Sequence, residues 1–272
     1  MRIGLTVAFD AASGLAAFDE AAATYDAHFS TTRLGRWVRE AVWDMLATTL
    51  QPGQRVLELG CGTGEDAIWL AQQGISVVAT DASAGMLTVA RAKVRQAGLT
   101  DRVQFAQMDA ARLGLVGGAP GAHYDAALAD FGVLNCIADR HALGNTLADR
   151  LRPAATLVAV VMGPLCIWEV AWHLLHGDLG RVVRRWRSGA LAQVGRASLP
   201  VWYPSPARLR AELAPRFELR RLVGLGTLLP PSHLSHLVDR WPELFARLAA
   251  VDRRVPFGPW LADHYVAVFE RG

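Results

Sequence analysis

The stretch Glu58-Leu59-Gly60-Cys61-Gly62-Thr63-Gly64 decides the fold prediction, because a short apolar strand precedes it and a helical pattern follows it. Three glycines at alternate positions let the backbone turn tightly and approach a ligand without Cβ atoms in the way. The helix after the turn presents unpaired backbone amides to the same space. The sequence therefore predicts a ligand-binding turn between a strand and a helix.

A glycine-rich turn is also typical of proteins that bind nicotinamide or flavin dinucleotides. Counted from Gly60, the third glycine of that pattern would fall at Glu65, and counted from Gly62 the pattern ends at Ala67. The match to the dinucleotide pattern is therefore partial. A nicotinamide-dependent oxidoreductase is the weaker interpretation and stays open as an alternative.

Strands and helices alternate along the chain on both sides of this turn. Apolar runs predict strands at 55–59, 75–80, 103–107, 124–129, 156–162, 217–225 and 264–269. Alternation of this kind indicates a parallel sheet covered on both faces, with ligands beyond the carboxyl ends of the strands. We predict an α/β fold: a doubly wound, mostly parallel seven-stranded sheet with helices on both faces and an inserted helical lid.

The composition excludes a disordered chain, since 52% of the 272 residues are hydrophobic and 19% are charged. The first residues lack the basic, apolar and small-residue segments of a secretory signal. Three scattered cysteines are too few for a disulfide framework. From these observations we expect a cytoplasmic protein.

The apolar run 154–175 is long enough to span a bilayer. Gly163 and Pro164 interrupt the run in its middle, and Glu169 and His173 lie in its second half. A buried strand followed by an amphipathic helix is therefore the better interpretation of this run.

The net charge of +3 conceals a basic cluster, formed by Arg181, Arg184, Arg185 and Arg187. Such a cluster can attract phosphates or anionic lipid headgroups, although a solvated helix face is the favoured interpretation. Because neither an aromatic ladder nor a nucleic-acid-binding motif accompanies the cluster, nucleic acid is not an expected partner. Contact with a membrane surface stays open.

The turn and the residues after the neighbouring strands resemble the class I S-adenosylmethionine-dependent methyltransferases. The resemblance implies S-adenosyl-L-methionine as the cofactor. An acidic turn suits a sulfonium ligand with an ammonium group better than a pyrophosphate. The turn residues implied to bind the cofactor are Glu58, Gly60, Cys61, Gly62 and Gly64.

Two further motifs of the resemblance follow the second and third strands. Asp81 stands where the family holds the ribose hydroxyls, and Ala82 and Met86 stand where apolar residues flank the adenine. Asp109, followed by Ala110, stands where the adenine amino group is received. The resemblance therefore implies a nucleoside site at the ends of these strands.

The last two motifs concern the methionine end of the cofactor and the reaction. Tyr25 and Phe29 resemble the aromatic N-terminal motif of small-molecule members, and Asp130 and Phe131 resemble the motif that faces the methyl group. Methyl transfer is an in-line displacement, so a base is needed only for a poorly acidic acceptor. The candidate catalytic residues are His28, Tyr25 and Asp130.

An apolar or aromatic acceptor is expected, because tryptophans are frequent in the region that should cover the site. The predicted substrate-binding residues are Asn135, Trp168, Trp172, Trp202, Tyr203 and His264. No metal is expected, since His233 and His236 have a spacing that zinc could use but no evident third ligand.

These inferences divide the chain into four segments: an N-terminal helical cap over the cofactor (1–50), a Rossmann-like core (51–164), a helical lid (165–205), and a C-terminal part of the sheet with the wall of the substrate pocket (206–272). The predicted function is methyl transfer to an O, N or C atom of a small apolar or aromatic metabolite, by a monomer or homodimer. A non-catalytic S-adenosylmethionine-binding regulatory protein stays open as a second alternative.

Overall fold

The computed structural model describes residues 11–110, 123–194 and 197–272. The strands in these residues are β1 (Arg55–Leu59), β2 (Ser76–Asp81), β3 (Val103–Gln107), β4 (Tyr124–Ala129), β5 (Leu151–Met162), β6 (Ala190–Val194), β7 (Ala197–Val201), β8 (Phe217–Leu225) and β9 (His264–Arg271). Seven of them form one sheet in the order β3-β2-β1-β4-β5-β9-β8. Neighbouring strands from β3 to β5 are parallel, and β9 is antiparallel to both β5 and β8. The predicted α/β class and mostly parallel seven-stranded sheet are confirmed.

The helices are α1 (Ala11–His28), α2 (Arg33–Thr49), α3 (Glu65–Gln72), α4 (Ala84–Gln96), α5 (Arg140–Arg150), α6 (Ile167–Leu175), α7 (Leu179–Val182), α8 (Pro206–Leu213), α9 (Ser235–Arg240), α10 (Pro242–Asp252) and α11 (Gly258–Leu261). Leucines of α5 and α8 pack in one apolar core, and α2, α3 and α4 contribute to a second. The sheet contributes residues to both cores, as alternating side chains of a doubly wound sheet do.

The predicted N-terminal helical cap, 1–50, consists of two helices with a break between them in its described part, and residues 1–10 of it lie outside the described residues. Phe29 to Thr32 form the break, and the Thr32 side chain caps α2 by accepting a hydrogen bond from the Gly35 amide at 3.0 Å. A threonine cap of this kind satisfies one of the unpaired amides of the first turn. The chain therefore enters α2 in a new direction.

The segment 165–205 is only partly helical, which corrects the predicted helical lid. Its first half contains α6, α7 and a 3₁₀ turn at Arg184–Trp186, and its second half is the hairpin β6–β7. Burial alternates along β6, where Ala190 is buried and Leu191 is exposed. A period of two residues belongs to a strand and not to a helix.

The apolar run 154–175 forms the end of β5 and then α6, as predicted. No helix in the described part of the chain is long and apolar enough to cross a bilayer. The basic cluster differs from the expected solvated helix face, because Arg185 is buried and both Arg184 and Arg185 form ion pairs with Glu169. Arg181 and Arg187 are exposed.

Candidate active site

A cavity of about 350 Å³ lies at the carboxyl edge of the parallel strands. Leu59 pairs with Thr80 and Ala129, so the residues that follow β1, β2 and β4 emerge side by side. The glycine turn, Asp81 and Asp130 all line this cavity. The sheet register therefore brings three of the predicted motifs together.

The glycine turn needs its glycines for two different reasons. Gly60, Gly62 and Gly64 have φ values of +62°, +52° and +83°, a left-handed region that other residues rarely adopt. A Cβ on Gly60 would lie 2.4 Å from Cγ2 of Val133, whereas a Cβ on Gly62 would meet no atom within 4 Å. Gly60 therefore allows both the turn and the close approach of the segment after β4.

Asp81 connects the turn after β1 to the start of α4. One carboxylate oxygen accepts a hydrogen bond from the Gly62 amide and the other from the Ser83 amide, both at 2.8 Å. Burial raises the pKa of Asp81, and these hydrogen bonds oppose the rise. Each oxygen retains a lone pair, and the side chain lines the cavity, so Asp81 can accept further hydrogen bonds from a ligand.

The wall next to Asp81 has the composition of a nucleoside pocket. Ala82, Met86, Asp109 and Ala110 line it, as the sequence predicted. Met86 is buried and apolar, and Asp109 adds a carboxylate at the end of β3. A flat aromatic ring between these residues would pack its apolar face against Met86 and would place its polar edge next to the Asp109 carboxylate.

The side chain of Asp26 holds helix α1 over the glycine turn. Asp26 accepts hydrogen bonds from the Thr63 hydroxyl at 2.6 Å and from the Lys93 ammonium at 2.7 Å. Desolvation raises the pKa of Asp26, but the hydrogen bonds from Lys93 and Thr63 outweigh it, so the pKa is lowered. The ionised carboxylate therefore joins α1 to the turn and to α4.

A buried charge cluster adjoins the cavity: Arg39, Asp66 and Asp130 line it, whereas Glu58 is buried beside them and does not. Arg39 of α2 pairs with Asp66 of α3, and Asp66 also accepts a hydrogen bond from the Trp43 indole at 2.7 Å. Glu58 and Asp130 lie near this pair, and burial together with the charge of Asp66 raises their pKa values well above the ordinary range. Three carboxyl groups thus share one guanidinium.

Three polar atoms of this cluster are buried without a hydrogen-bond partner in the described structure: Oε2 of Glu58, Oδ2 of Asp130 and Nε of Arg39. Buried polar atoms normally have partners, so a group of unpartnered ones indicates a place for a ligand. Two acceptors and one donor match the ammonium and carboxylate of an amino acid.

Comparison with known proteins agrees with this geometry. Residues 56–154 match a family model described as a methyltransferase domain. A demethylmenaquinone methyltransferase of Clavibacter sepedonicus is 34% identical over 146 residues, which are 53% of this chain and 55% of that protein. Methyltransferase GfsG of Streptomyces halstedii is 40% identical over 80 residues, 29% of this chain and 28% of that protein.

Among solved structures, the CcbJ methyltransferase from Streptomyces caelestis has the same fold, with a TM-score of 0.61 at 17% identity and coverage of 94% of this chain and 98% of that one. Residues 56–154 therefore match a methyltransferase domain, and the chain has the fold of a solved methyltransferase. The chain spans about half of the length of the Clavibacter relative and less than a third of the length of the Streptomyces halstedii relative.

The aromatic residues before this methyltransferase domain occupy different layers. Tyr25 lines the cavity. Phe29 lies behind it, with its ring 5.2 Å from that of Phe131, which is itself at the cavity wall. His28 is exposed, and its Nδ1 lies 2.7 Å from the Thr24 carbonyl of the same helix. The structure therefore does not bring His28, a predicted catalytic residue, to the site.

Asn135 is a predicted substrate-binding residue that the structure places in a structural role. It is fully buried, its amide nitrogen donates to the carbonyls of Met162 and Trp202, and its amide oxygen accepts from the Met162 amide. With these partners the side chain joins the turn after β4 to β5 and to the end of the hairpin.

The other predicted substrate-binding residues do not line the main cavity. Trp168 packs with Phe245, and Trp172 stacks on His176. Trp202 and Tyr203 line a smaller pocket, of about 80 Å³, beside the lid. His264 contacts Phe131 edge to face and so lies one layer behind the wall. Trp168 and Trp172 therefore take part in packing within and beside the lid, whereas Trp202 lines only the smaller pocket.

The outer end of the cavity is lined by residues that the sequence did not single out. They are mostly apolar: Phe18, Val133, Cys136, Ile137, Leu199 and Pro200. Phe18 lies seven positions before Tyr25, two helical turns away on the same face of α1, which is a signal available from the sequence. Leu199 and Pro200 reach the cavity only because the hairpin folds against α1. No local pattern indicates that contact.

Proposed function

We propose that this protein is an S-adenosylmethionine-dependent methyltransferase that acts on a small apolar acceptor. The observation that carries the proposal is the charge of the cavity. In the described residues, five acidic side chains line it, those of Glu65, Asp66, Asp81, Asp109 and Asp130, and Arg39 is its one basic lining residue. An acidic wall favours a ligand with positive charge, whereas a dinucleotide pyrophosphate would be repelled by it.

The residues fit the proposed cofactor along its whole length. Asp81 would accept the ribose hydroxyls, and Met86 and Asp109 would flank and recognise the adenine. The unpartnered oxygens of Glu58 and Asp130 would accept from the ammonium, and Nε of Arg39 would donate to the carboxylate. The methyl acceptor would then enter from the apolar end.

When bound, the cofactor supplies an electrophilic methyl group on a sulfonium. The chain contributes position and a dry environment: Val133 and Ile137 exclude water, and Phe131 holds the wall against Phe29. Desolvation raises the pKa of Tyr25, so its hydroxyl stays protonated at neutral pH and is able to donate a hydrogen bond to a ligand. Tyr25 is therefore proposed to orient an acceptor oxygen or nitrogen.

The acceptor class is proposed from the apolar end of the cavity. Phe18, Ile137 and Leu199 offer aromatic and aliphatic surface, and the Cys136 thiol adds a soft, weakly polar group. The Clavibacter relative is named for demethylmenaquinone, an apolar aromatic acceptor. A bicyclic hydroquinone of that kind suits this wall, so 1,4-naphthohydroquinone is a rational first probe.

Calorimetric titration with S-adenosylhomocysteine tests cofactor binding. Asp81→Asn should weaken binding at least about tenfold, because a carboxylate is exchanged for a weaker hydrogen-bond acceptor. The matched control is Asp252→Asn. Asp252 is also buried and also accepts two backbone amides, from Gly226 at 2.7 Å and Leu228 at 2.6 Å, but it does not line the cavity.

Equal affinity of the two variants would contradict the proposed role of Asp81. Saturable binding of reduced nicotinamide dinucleotide in place of S-adenosylhomocysteine would favour an oxidoreductase. Transfer of labelled methyl groups to 1,4-naphthohydroquinone or to small molecules of a host extract tests catalysis. Cofactor binding without any transfer would instead favour a regulatory protein.

A further inference from the structure

The lid carries an unusual concentration of exposed apolar side chains. Eleven large apolar residues are exposed in the described part of the chain, and six of them fall between residues 167 and 191. They are Ile167, Leu174, Leu175, Leu179, Trp186 and Leu191. The segment that contains them, from α6 to β6, is hereafter the lid face.

These side chains lie on structural elements that follow one another along the chain, and each element contacts the next. Helix α6 contacts α7, α7 contacts the 3₁₀ turn, and that turn contacts β6. The most exposed members are at the tip where α6 turns into α7: Leu175 is 84% exposed and Leu179 is 66% exposed. Trp186 is 61% exposed further along the face. Exposed apolar groups in one patch mark an interaction site more often than scattered ones do.

The charge of the lid face is positive. Arg181 and Arg187 are exposed beside the leucines and the tryptophan. The segment 167–191 holds four arginines and two acidic residues, an excess of two positive charges: Glu169 is buried and pairs with Arg184 and Arg185, and Asp178 pairs with Arg181 at 3.2 Å. The exposed surface therefore combines aliphatic tips, one indole and arginines.

We propose that the lid face docks on the surface of a membrane that contains anionic lipids. Leucines at a helix tip can insert among acyl chains, an indole suits the headgroup layer, and arginines bind lipid phosphates. The docking is peripheral, in keeping with the absence of a membrane-crossing helix in the described residues. It is independent of the methyl-transfer reaction proposed above.

A second copy of the chain fits this face less well. Contact through a twofold axis would bring the same patch together with itself, so that the exposed arginines of both copies would lie in one interface. Like charges in an interface oppose association, whereas an anionic bilayer complements them. Fluid acyl chains also accommodate single projecting leucines without a shaped partner surface.

Vesicle flotation of the purified full chain tests the proposal. One vesicle type consists of phosphatidylcholine alone and the other of phosphatidylcholine and phosphatidylglycerol in equal parts. The protein should float with the anionic vesicles, more weakly with the neutral ones, and less at high salt. Absence of flotation with both vesicle types would overturn the proposal.

Two double variants separate the apolar and electrostatic contributions. Leu175→Ser with Leu179→Ser should weaken binding to anionic vesicles about tenfold or more, since two buried leucine side chains are lost. Arg181→Gln with Arg187→Gln should weaken it about 25-fold, from about fivefold for each arginine near the surface. Both pairs are exposed, so the thermal unfolding midpoint should stay unchanged.

Matched controls keep the test specific. Leu175→Met with Leu179→Met keeps apolar side chains and should retain binding, and Arg91→Gln with Arg95→Gln removes two exposed arginines from α4, remote from the lid face. The assignment would be refuted if the serine variant floated as well as the wild type. It would also be refuted if the α4 variant lost as much vesicle binding as the Arg181→Gln with Arg187→Gln variant. A third contrary result is a protein that does not float and that forms a dimer in sedimentation equilibrium, if the serine variant abolishes this dimer.

Discussion

A substitution at Gly60 separates the two reasons for which the turn requires glycine. Gly60→Ala places a methyl group in the left-handed region and also 2.4 Å from Cγ2 of Val133. Gly62→Ala meets only the first cost, because no atom lies within 4 Å of the new Cβ. The pair therefore shares backbone strain and differs in the steric clash.

The magnitudes follow from these two terms. Left-handed backbone costs an alanine about 1–2 kcal/mol, and forcing an extra methyl group against a packed neighbour costs about 1–3 kcal/mol. Gly62→Ala should therefore lower the free energy of unfolding by about 1–2 kcal/mol, and Gly60→Ala by about 2–5 kcal/mol. Adding Val133→Ala to Gly60→Ala should relieve the clash and restore the part of the free energy of unfolding that the clash removes. Adding Val133→Ala to Gly62→Ala should restore none of it.

Urea denaturation of the ligand-free protein, followed by circular dichroism, measures these differences. A double-mutant cycle between positions 60 and 133 should show a coupling of about 1–3 kcal/mol that offsets the single losses. Equal losses for the two glycine variants, or strictly additive effects of Gly60→Ala and Val133→Ala, would refute the reasoning that Gly60 is required by the approach of Val133.

Three further outcomes follow from the charge cluster, the buried amide and the lid. The pKa values of Glu58 and Asp130 are raised in the ligand-free protein and should fall beside the ammonium of a bound ligand. S-adenosylhomocysteine should therefore bind more weakly as the pH falls through the raised pKa values. Calorimetry in buffers of different ionisation enthalpy should show proton release on binding, and proton uptake would contradict this. Asn135→Ala removes the hydrogen-bond partner of three partly buried backbone groups and should lower the free energy of unfolding by about 3 kcal/mol, whereas a loss below about 1 kcal/mol would show that water replaces the amide. Arg185→Met removes the most buried counter-ion of Glu169 and Asp263, which keep only Arg184 and His264, and should cost about 3 kcal/mol at neutral pH. The pKa of Asp263 is lowered although desolvation opposes it, because His264 and Arg185 stabilise its charge, so the wild type should lose that stability as the pH falls; an equally steep loss in Arg185→Met would count against the ion pair.

The motifs after the parallel strands could be predicted because they depend on short-range patterns. An apolar run predicts a strand, and the rule that ligands bind beyond carboxyl ends predicts where Asp81, Asp109 and Asp130 belong. The structure places these three residues around one cavity. The predicted bounds of β3, β4 and β8 agree with the structure residue for residue.

The acceptor end of the cavity could not be predicted from such patterns. Tryptophan content indicated an aromatic pocket wall, but Trp168 and Trp172 pack within and beside the lid. His28 had the chemistry of a base, yet it lies on the outer side of α1 with its ring bonded to its own helix. Residue type indicates what a side chain can do, whereas its direction depends on the helix face that packs inward.

By itself the sequence determined the parallel sheet, the glycine turn and the acidic residues at the strand ends, because hydrophobic periodicity and backbone conformation are local properties. Only the tertiary structure decided that Arg39 pairs with Asp66, 27 positions away, beside Glu58 and Asp130. It also decided that a hairpin closes the cavity. Such contacts depend on how helices pack across the sheet, and the free energy of that packing is distributed over residues that are far apart in the chain.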